Sequence, residues 1–146
     1  MGRSRRVRGR PHQANPMTRT IRQTVTIGAA PLEVYCALLD SKRHAAFTGS
    51  AARISAKVGG AFSCYGGYIT GTNLELIPSR RIVQAWRSRG WPLGTFSLVT
   101  FALARAAGGA TRLTFTQVGV PASDTKDKAG GWRTHYWRPL KAYLES

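Results

Sequence analysis

Gly131-Trp132-Arg133-Thr134-His135-Tyr136-Trp137-Arg138-Pro139-Leu140-Lys141-Ala142-Tyr143-Leu144 is the stretch that decides the fold. Trp132, Tyr136, Leu140 and Tyr143 recur at spacings of four, four and three, which places them on one side of an α-helix. Trp137 and Leu144 widen that stripe. Pro139 removes one helical hydrogen bond and predicts a kink. A helix this apolar on one side needs a surface to pack on, and a bend is accommodated more easily against a curved sheet than in free solution.

Working back from that helix, residues 51–119 read almost entirely as strand. Leu113, Phe115 and Gln117 alternate with Arg112, Thr114 and Thr116 in the cleanest period-two pattern of the chain. Residues 95–105 alternate likewise, and in residues 80–88 Ile82, Gln84 and Trp86 oppose Val83, Ala85 and Arg87. A longer strand is expected over 68–77, closed by Pro78-Ser79, with shorter ones over 53–57 and 61–65. Glycine pairs at 59–60, 66–67 and 108–109 supply the turns, and residues 90–94 a loop. Turns this short imply antiparallel neighbours, because a parallel crossover needs a dozen or more residues. At the front, Ile21, Gln23, Val25 and Ile27 share a strand face that ends at Gly28. Pro31 then opens a short helix carrying Val34, Tyr35, Leu38 and Leu39, and Ser41 is the expected cap of a second one through Phe47. Residues 122–131 read as a polar link.

The pattern is therefore α+β: one strand, two short helices, about six more strands and a long terminal helix. The economical packing is a curved antiparallel sheet of six to seven strands wrapped around that helix. A curved sheet and a straight rod match imperfectly, so a space between them is expected.

Composition narrows the chemistry. The 146 residues include 22 Lys+Arg and only 6 Asp+Glu, for a formal charge of +16. Residues 1–16 combine Arg3, Arg5, Arg6, Arg8 and Arg10 with Gly2, Gly9, Pro11 and Pro16, and are expected to be a disordered extension before a domain over 17–146. Arg5-Arg6 has no apolar stretch behind it, so no secretory or twin-arginine signal is expected, and Met17 is an alternative first residue. No apolar run approaches the roughly 18 residues of a membrane span. Cys36 and Cys64 allow at most one disulfide and have no metal-ligand spacing, which points to a reducing, cytoplasmic setting. Neither HExxH nor CxxC is present, and no cofactor or metal is expected.

The candidate cavity residues are Tyr65, Tyr68, Glu75, Trp86, Trp91, Trp132, His135 and Tyr136. Trp86, Trp132 and Tyr136 serve equally as core packing. Tyr65, Tyr68 and Trp91 lie at turns or loops, where rings either pack the turn or face a ligand. Glu75 needs a polar partner if it faces inward, and meets arginine on the surface if it faces outward. His135 would need an acid partner and a nucleophile to act as a base. His44 is expected on the surface of a short polar helix, Cys64 inward and inert, and Asp124 and Asp127 at the approach to the last helix.

Several stretches, taken in order, resemble a known family. They are Phe47-Thr48, Val58-Gly59-Gly60-Ala61-Phe62, Gly71 and Leu76-Ile77-Pro78. Further on come Arg81-Ile82-Val83-Gln84-Ala85-Trp86-Arg87, Trp91-Pro92-Leu93-Gly94, Gly119-Val120-Pro121 and the closing helix. Together they resemble the relatives of the C-terminal domain of the heat-shock-protein-90 ATPase activator, within the helix-grip (START-like, Bet v 1-like, polyketide-cyclase-like) superfamily. The resemblance covers about residues 20–145. It implies the helix-grip fold and a cavity used across that superfamily for lipid or other apolar ligands, or for cyclase or hydrolase chemistry. It also implies a chaperone or other protein partner. In the eukaryotic co-chaperone, activation depends strongly on an N-terminal chaperone-binding domain without counterpart in this sequence. The function expected is non-enzymatic: a module that binds a small hydrophobic ligand or associates with a chaperone, as monomer or homodimer. The alternatives are an enzyme using Tyr65, Tyr68, Glu75 or His135, and weak salt-dependent nucleic-acid binding through the basic surface.

Overall fold

Alternation along the strands sorts their side chains into two layers, and the layer rich in aromatic and branched residues closes on the helices. The computed structural model describes residues 17–146; the expected disorder of residues 1–16 lies outside the described residues. The strands are β1 (Thr18–Ile27), β2 (Ala52–Ile54), β3 (Ala61–Cys64), β4 (Ile69–Ile77), β5 (Arg81–Ser88), β6 (Ser97–Arg105) and β7 (Thr111–Pro121). They form one antiparallel sheet in the order β1-β7-β6-β5-β4-β3-β2, so every sequential pair from β2 to β7 is a hairpin and β1 closes against β7. The helices α1 (Pro31–Leu39) and α2 (Ser41–Thr48) lie between β1 and β2, and the chain ends in the long helix, as the helix-grip reading requires.

Local chemistry moved three boundaries. The cap of α2 is Asp40, whose carboxylate accepts from the Arg43 amide at 2.9 Å. Ser41, the expected cap, instead accepts from the Ile54 amide at 2.8 Å and ties α2 to β2. β2 stops after Ile54 because the next carbonyl, that of Ser55, is taken by the Asn73 side-chain amide at 2.7 Å. The expected polar link over 122–131 is largely helix: α3 (Thr125–Trp132) begins after Asp124, and Asp124 pairs with Lys128 one turn on at 2.9 Å. Only Lys128 and Trp132 of α3 are buried, so its sequence carries no apolar stripe from which to read a helix.

Pro139 acts upstream of itself. A single π-turn, Arg133–Trp137, separates α3 from α4 (Arg138–Glu145). It is closed by the Arg138 amide on the Arg133 carbonyl, five residues back. The extra residue per turn lets the consecutive Tyr136 and Trp137 both reach the interior.

The sheet holds the helix through rings and buried amides. Phe115 and Trp132 have ring centroids 4.2 Å apart, and Trp132 and Tyr136 4.5 Å. Gln117, fully buried on β7, accepts from the Trp132 indole at 2.8 Å and donates to Ser97 Oγ at 2.9 Å. Gln23 on β1 accepts from the Trp137 indole at 2.7 Å and donates to the Ala129 carbonyl at 2.9 Å. Each bond contributes about 1 kcal/mol net, but leaving a buried amide unpaired would cost more, so these pairs set the helix in one register on the sheet.

Candidate functional site

The inner compartment between sheet and helix is nearly filled. Leu38, His44, Cys64, Gln84, Phe101 and Tyr136 are among the residues around a void of only about 10 Å³. The expected space lies instead at the side of the helix, as an open cleft of about 740 Å³ between the β3–β4 turn and residues 126–136. Tyr65, Ile69, Trp86, Trp132 and Tyr136 form its apolar wall; Tyr68, Lys126, Asp127, Lys128, Thr134 and His135 form its rim.

The β3–β4 turn is built to aim two tyrosines at the helix. Tyr65 sits at φ 53°, a left-handed conformation that a bulky side chain seldom adopts, and is followed by Gly66 and Gly67, also at positive φ. Its hydroxyl donates to the His135 carbonyl at 2.6 Å. That carbonyl stands four residues before Pro139, whose ring has no N–H to offer it, so the proline makes the acceptor that the tyrosine uses. Tyr68, 41% exposed, receives the Lys128 ammonium 5.6 Å over its ring. The same ammonium lies 2.9 Å from Asp124 and 3.4 Å from Asp127.

Six of the eight candidate residues thus meet in one place: Tyr65, Tyr68, Trp86, Trp132, His135 and Tyr136. Two do not. Glu75 lies on the outer side of the sheet, where Arg81 Nε donates to it at 2.8 Å. The register between β4 and β5 slips between Asn73 and Glu75, so Leu74 is the extra, exposed residue and Glu75 stands opposite outward-facing Val83. Trp91 is buried behind Trp86, with ring centroids 5.6 Å apart, and its indole donates to Asp124 at 2.7 Å. Its loop is pinned by the Arg87 guanidinium on the carbonyls of Trp91, Pro92 and Thr95, so Trp91 braces the cleft wall from behind and the 90–94 loop does not form a cover.

His44 is the largest departure from expectation. It is 2% exposed, with Nε2 3.0 Å from the Tyr136 hydroxyl and 3.7 Å from Cys64 Sγ. The polar average of α2 hides the fact that His44 and Phe47, three residues apart, share its inward face and both pack on Tyr136. That spacing was the available signal. Burial pushes the His44 imidazole down to about 4, so it is neutral at pH 7. Burial also pushes the Cys64 thiol up to about 12 and Tyr65 up to about 12, with Tyr136 raised as well. The small inner void and the tyrosine wall of the cleft are therefore uncharged at neutral pH. Cys64 is held as a thiol, the form that is neither nucleophile nor metal ligand. Among the described residues no group of three or more His, Cys, Asp or Glu is placed to hold a metal ion, and no helix is long and apolar enough to cross a membrane.

A sheet that grips a terminal helix, with an aromatic cleft opened beside that helix by a tyrosine-bearing turn, defines a helix-grip domain. Residues 29–145 match the family described as "Activator of Hsp90 ATPase homolog 1-like protein", and the chain belongs to that family. It is 31% identical over 126 residues, 86% of this chain, to an activator of 90 kDa heat shock protein ATPase homolog from Dictyostelium discoideum. It is 30% identical over 116 residues, 80% of this chain, to the homolog 1 of Homo sapiens. The matched regions are 33% and 34% of those proteins, so the chain spans about a third of their length. Among solved structures, an HSP90 activator from Plasmodium falciparum superposes with a TM-score of 0.81 at 25% identity, covering 86% of this chain and 96% of that one. A protein of Chromobacterium violaceum superposes at 0.70 with 29% identity, covering 87% and 97%.

Proposed function

We propose that this domain is a non-enzymatic binding module that takes a small apolar ligand in the cleft beside its terminal helix, in the cytoplasm. The observation that carries this reading is the cleft itself. Its volume of about 740 Å³ falls in the range of small-molecule sites, and its wall is made of aromatic and branched side chains while the charges stay at the rim. A flat or elongated apolar body would lie against Trp86, Trp132 and Tyr136 with Tyr68 closing over it, and the rim would orient whatever polar end it has.

The probe is an apolar naphthalene-sulfonate dye titrated against the tryptophan emission of Trp86 and Trp132. Tyr68→Ala should weaken the dye about tenfold, the loss of one aromatic contact, and leave the thermal midpoint in place because Tyr68 is half exposed. Thr134→Trp, which fills the mouth, should abolish binding. Dye affinity indifferent to both substitutions would refute the assignment. Turnover of a cyclase or hydrolase substrate that His135→Ala abolishes, with folding intact, would replace it with the enzymatic alternative.

A second reading is association with the 90 kDa heat shock protein, supported by the names of relatives 30–31% identical to this chain. It predicts binding to that purified chaperone and a change in its ATPase rate. Absence of both would remove it.

A further inference from the structure

Two residues in the cleft wall are required neither by packing nor by backbone conformation. Gly130 and Gly131 stand inside α3, where glycine is less favourable than any other residue except proline. Neither has the positive φ that would demand glycine. Neither makes room for a neighbour. A Cβ at Gly130 would meet nothing within 4 Å beyond its own helix backbone, and one at Gly131 only the His135 ring at 3.9 Å, an ordinary contact. The residues on either side seat this turn on the sheet, Ala129 through its carbonyl to Gln23 and Trp132 through its indole to Gln117. Both glycines line the cleft.

A spacing of four groups six cleft residues into two ridges of the helix, Lys126–Gly130–Thr134 and Asp127–Gly131–His135. Each ridge lacks its middle side chain, so the helix presents a notch of bare backbone to the cleft. In sequence the notch lies between the two points at which the helix is tied to the β3–β4 turn. One tie is the Lys128 ammonium 5.6 Å over the Tyr68 ring, and the other is the Tyr65 hydroxyl on the His135 carbonyl at 2.6 Å. At about 1.5 Å of rise per residue, those ties stand about 10 Å apart along the helix. The opening between them is a short slot, with tyrosines on one lip, peptide backbone on the other, and Trp86 and Trp132 in its wall.

We propose, on the ligand reading of the cleft, that Gly130 and Gly131 set its specificity by admitting a flat, fused-ring molecule against the helix backbone. A rigid plane fills a short slot walled by rings and peptide groups, and stacks on the tyrosine lip while its other face touches the notch. A long acyl chain would have to pass one of the two ties, and a flat wall offers it no advantage. A helix that keeps two glycines facing an open cleft gives up stability at the surface that would touch a ligand, the trade-off expected of a binding residue.

The test uses the full chain and two singly charged anions of different shape, the naphthalene-sulfonate dye and laurate, each titrated by calorimetry. Wild type should bind the dye about tenfold more tightly than laurate, or better. The double variant Gly130→Ala, Gly131→Ala should weaken the dye about tenfold and shift laurate by less than about twofold. Its thermal midpoint should rise by about 3 °C or more, because alanine is the better helix former. A lower midpoint would overturn the proposal, since the glycines would then serve packing. So would unchanged dye affinity in a stabilised variant. Equal losses of dye and laurate would also overturn it, in favour of an elongated ligand. Thr134→Trp separates these failures from failure of the cleft itself. If it abolishes dye binding and the alanines do not weaken it, the glycine assignment alone falls; if dye binding ignores Thr134→Trp as well, both fall.

Discussion

Acid should destabilise this domain through His44, in a pH window set by one buried ring. In the folded protein the imidazole lies 3.0 Å from the Tyr136 hydroxyl, between α2 and the terminal helix, and burial holds its pKa at about 4 instead of 6.5. The unfolded chain, with His44 in water, binds the proton first as pH falls. The stability associated with a neutral His44 is thus fully present above pH 6.5 and is lost progressively as pH drops towards 4. At about 1.36 kcal/mol for each pH unit, the window between 6.5 and about 4 corresponds to roughly 3 kcal/mol. That is a large share of the 5–15 kcal/mol that a domain of this size typically has. The assay is urea unfolding followed by tryptophan fluorescence at several pH values between about 7 and 4, for wild type and His44→Gln. The glutamine keeps a hydrogen-bonding group for Tyr136 but does not titrate. It should cost about 1–2 kcal/mol at pH 7, yet its stability should fall by roughly 3 kcal/mol less than wild type on going to pH 4, so the two curves converge or cross. His135 and all six carboxylates are common to both proteins and cancel in the comparison. Parallel curves would refute the reasoning.

Two further outcomes follow from the packing. A Cβ at Gly71 would collide with the Ala85 carbonyl of the neighbouring strand and with the Phe62 ring, so Gly71→Ala should destabilise by about 3 kcal/mol, read as a lower urea midpoint with unchanged slope. Cys64, buried with its thiol pushed up to about 12, should resist alkylation at pH 8 in native protein and react at once in urea, whereas half-buried Cys36 should label in the native state. Native labelling of Cys64 at the rate of Cys36 would contradict its burial on β3 against His44.

Much of the architecture was legible because it rests on periods. The alternation of Leu113, Phe115 and Gln117 reports a strand with one buried side wherever that strand ends up, and the Trp132–Tyr136–Leu140 stripe reports a helix with one buried side. Glycine pairs between strands left antiparallel hairpins as the natural connection. The family resemblance was legible for the same reason, since its matching stretches are the strand faces, turns and helix face that this packing requires. Where the periods failed, a local defect had intervened. α3 has almost no apolar side chains to announce it, and the extra residue at Leu74 turned Glu75 outward within an otherwise regular strand.

By itself, then, the order of residues determined which side of each strand and helix is apolar and how successive strands pair. Only the tertiary structure decided that the aromatic rings fill the interior and push the open space to the side of the helix. It also decided that Trp91 is a brace and that His44 meets Tyr136 across 92 residues of chain. The physical reason is that periodicity records the side an element buries, whereas volume and the pairing of buried polar atoms depend on which sides meet. Those meetings are long-range contacts that no local window of sequence contains.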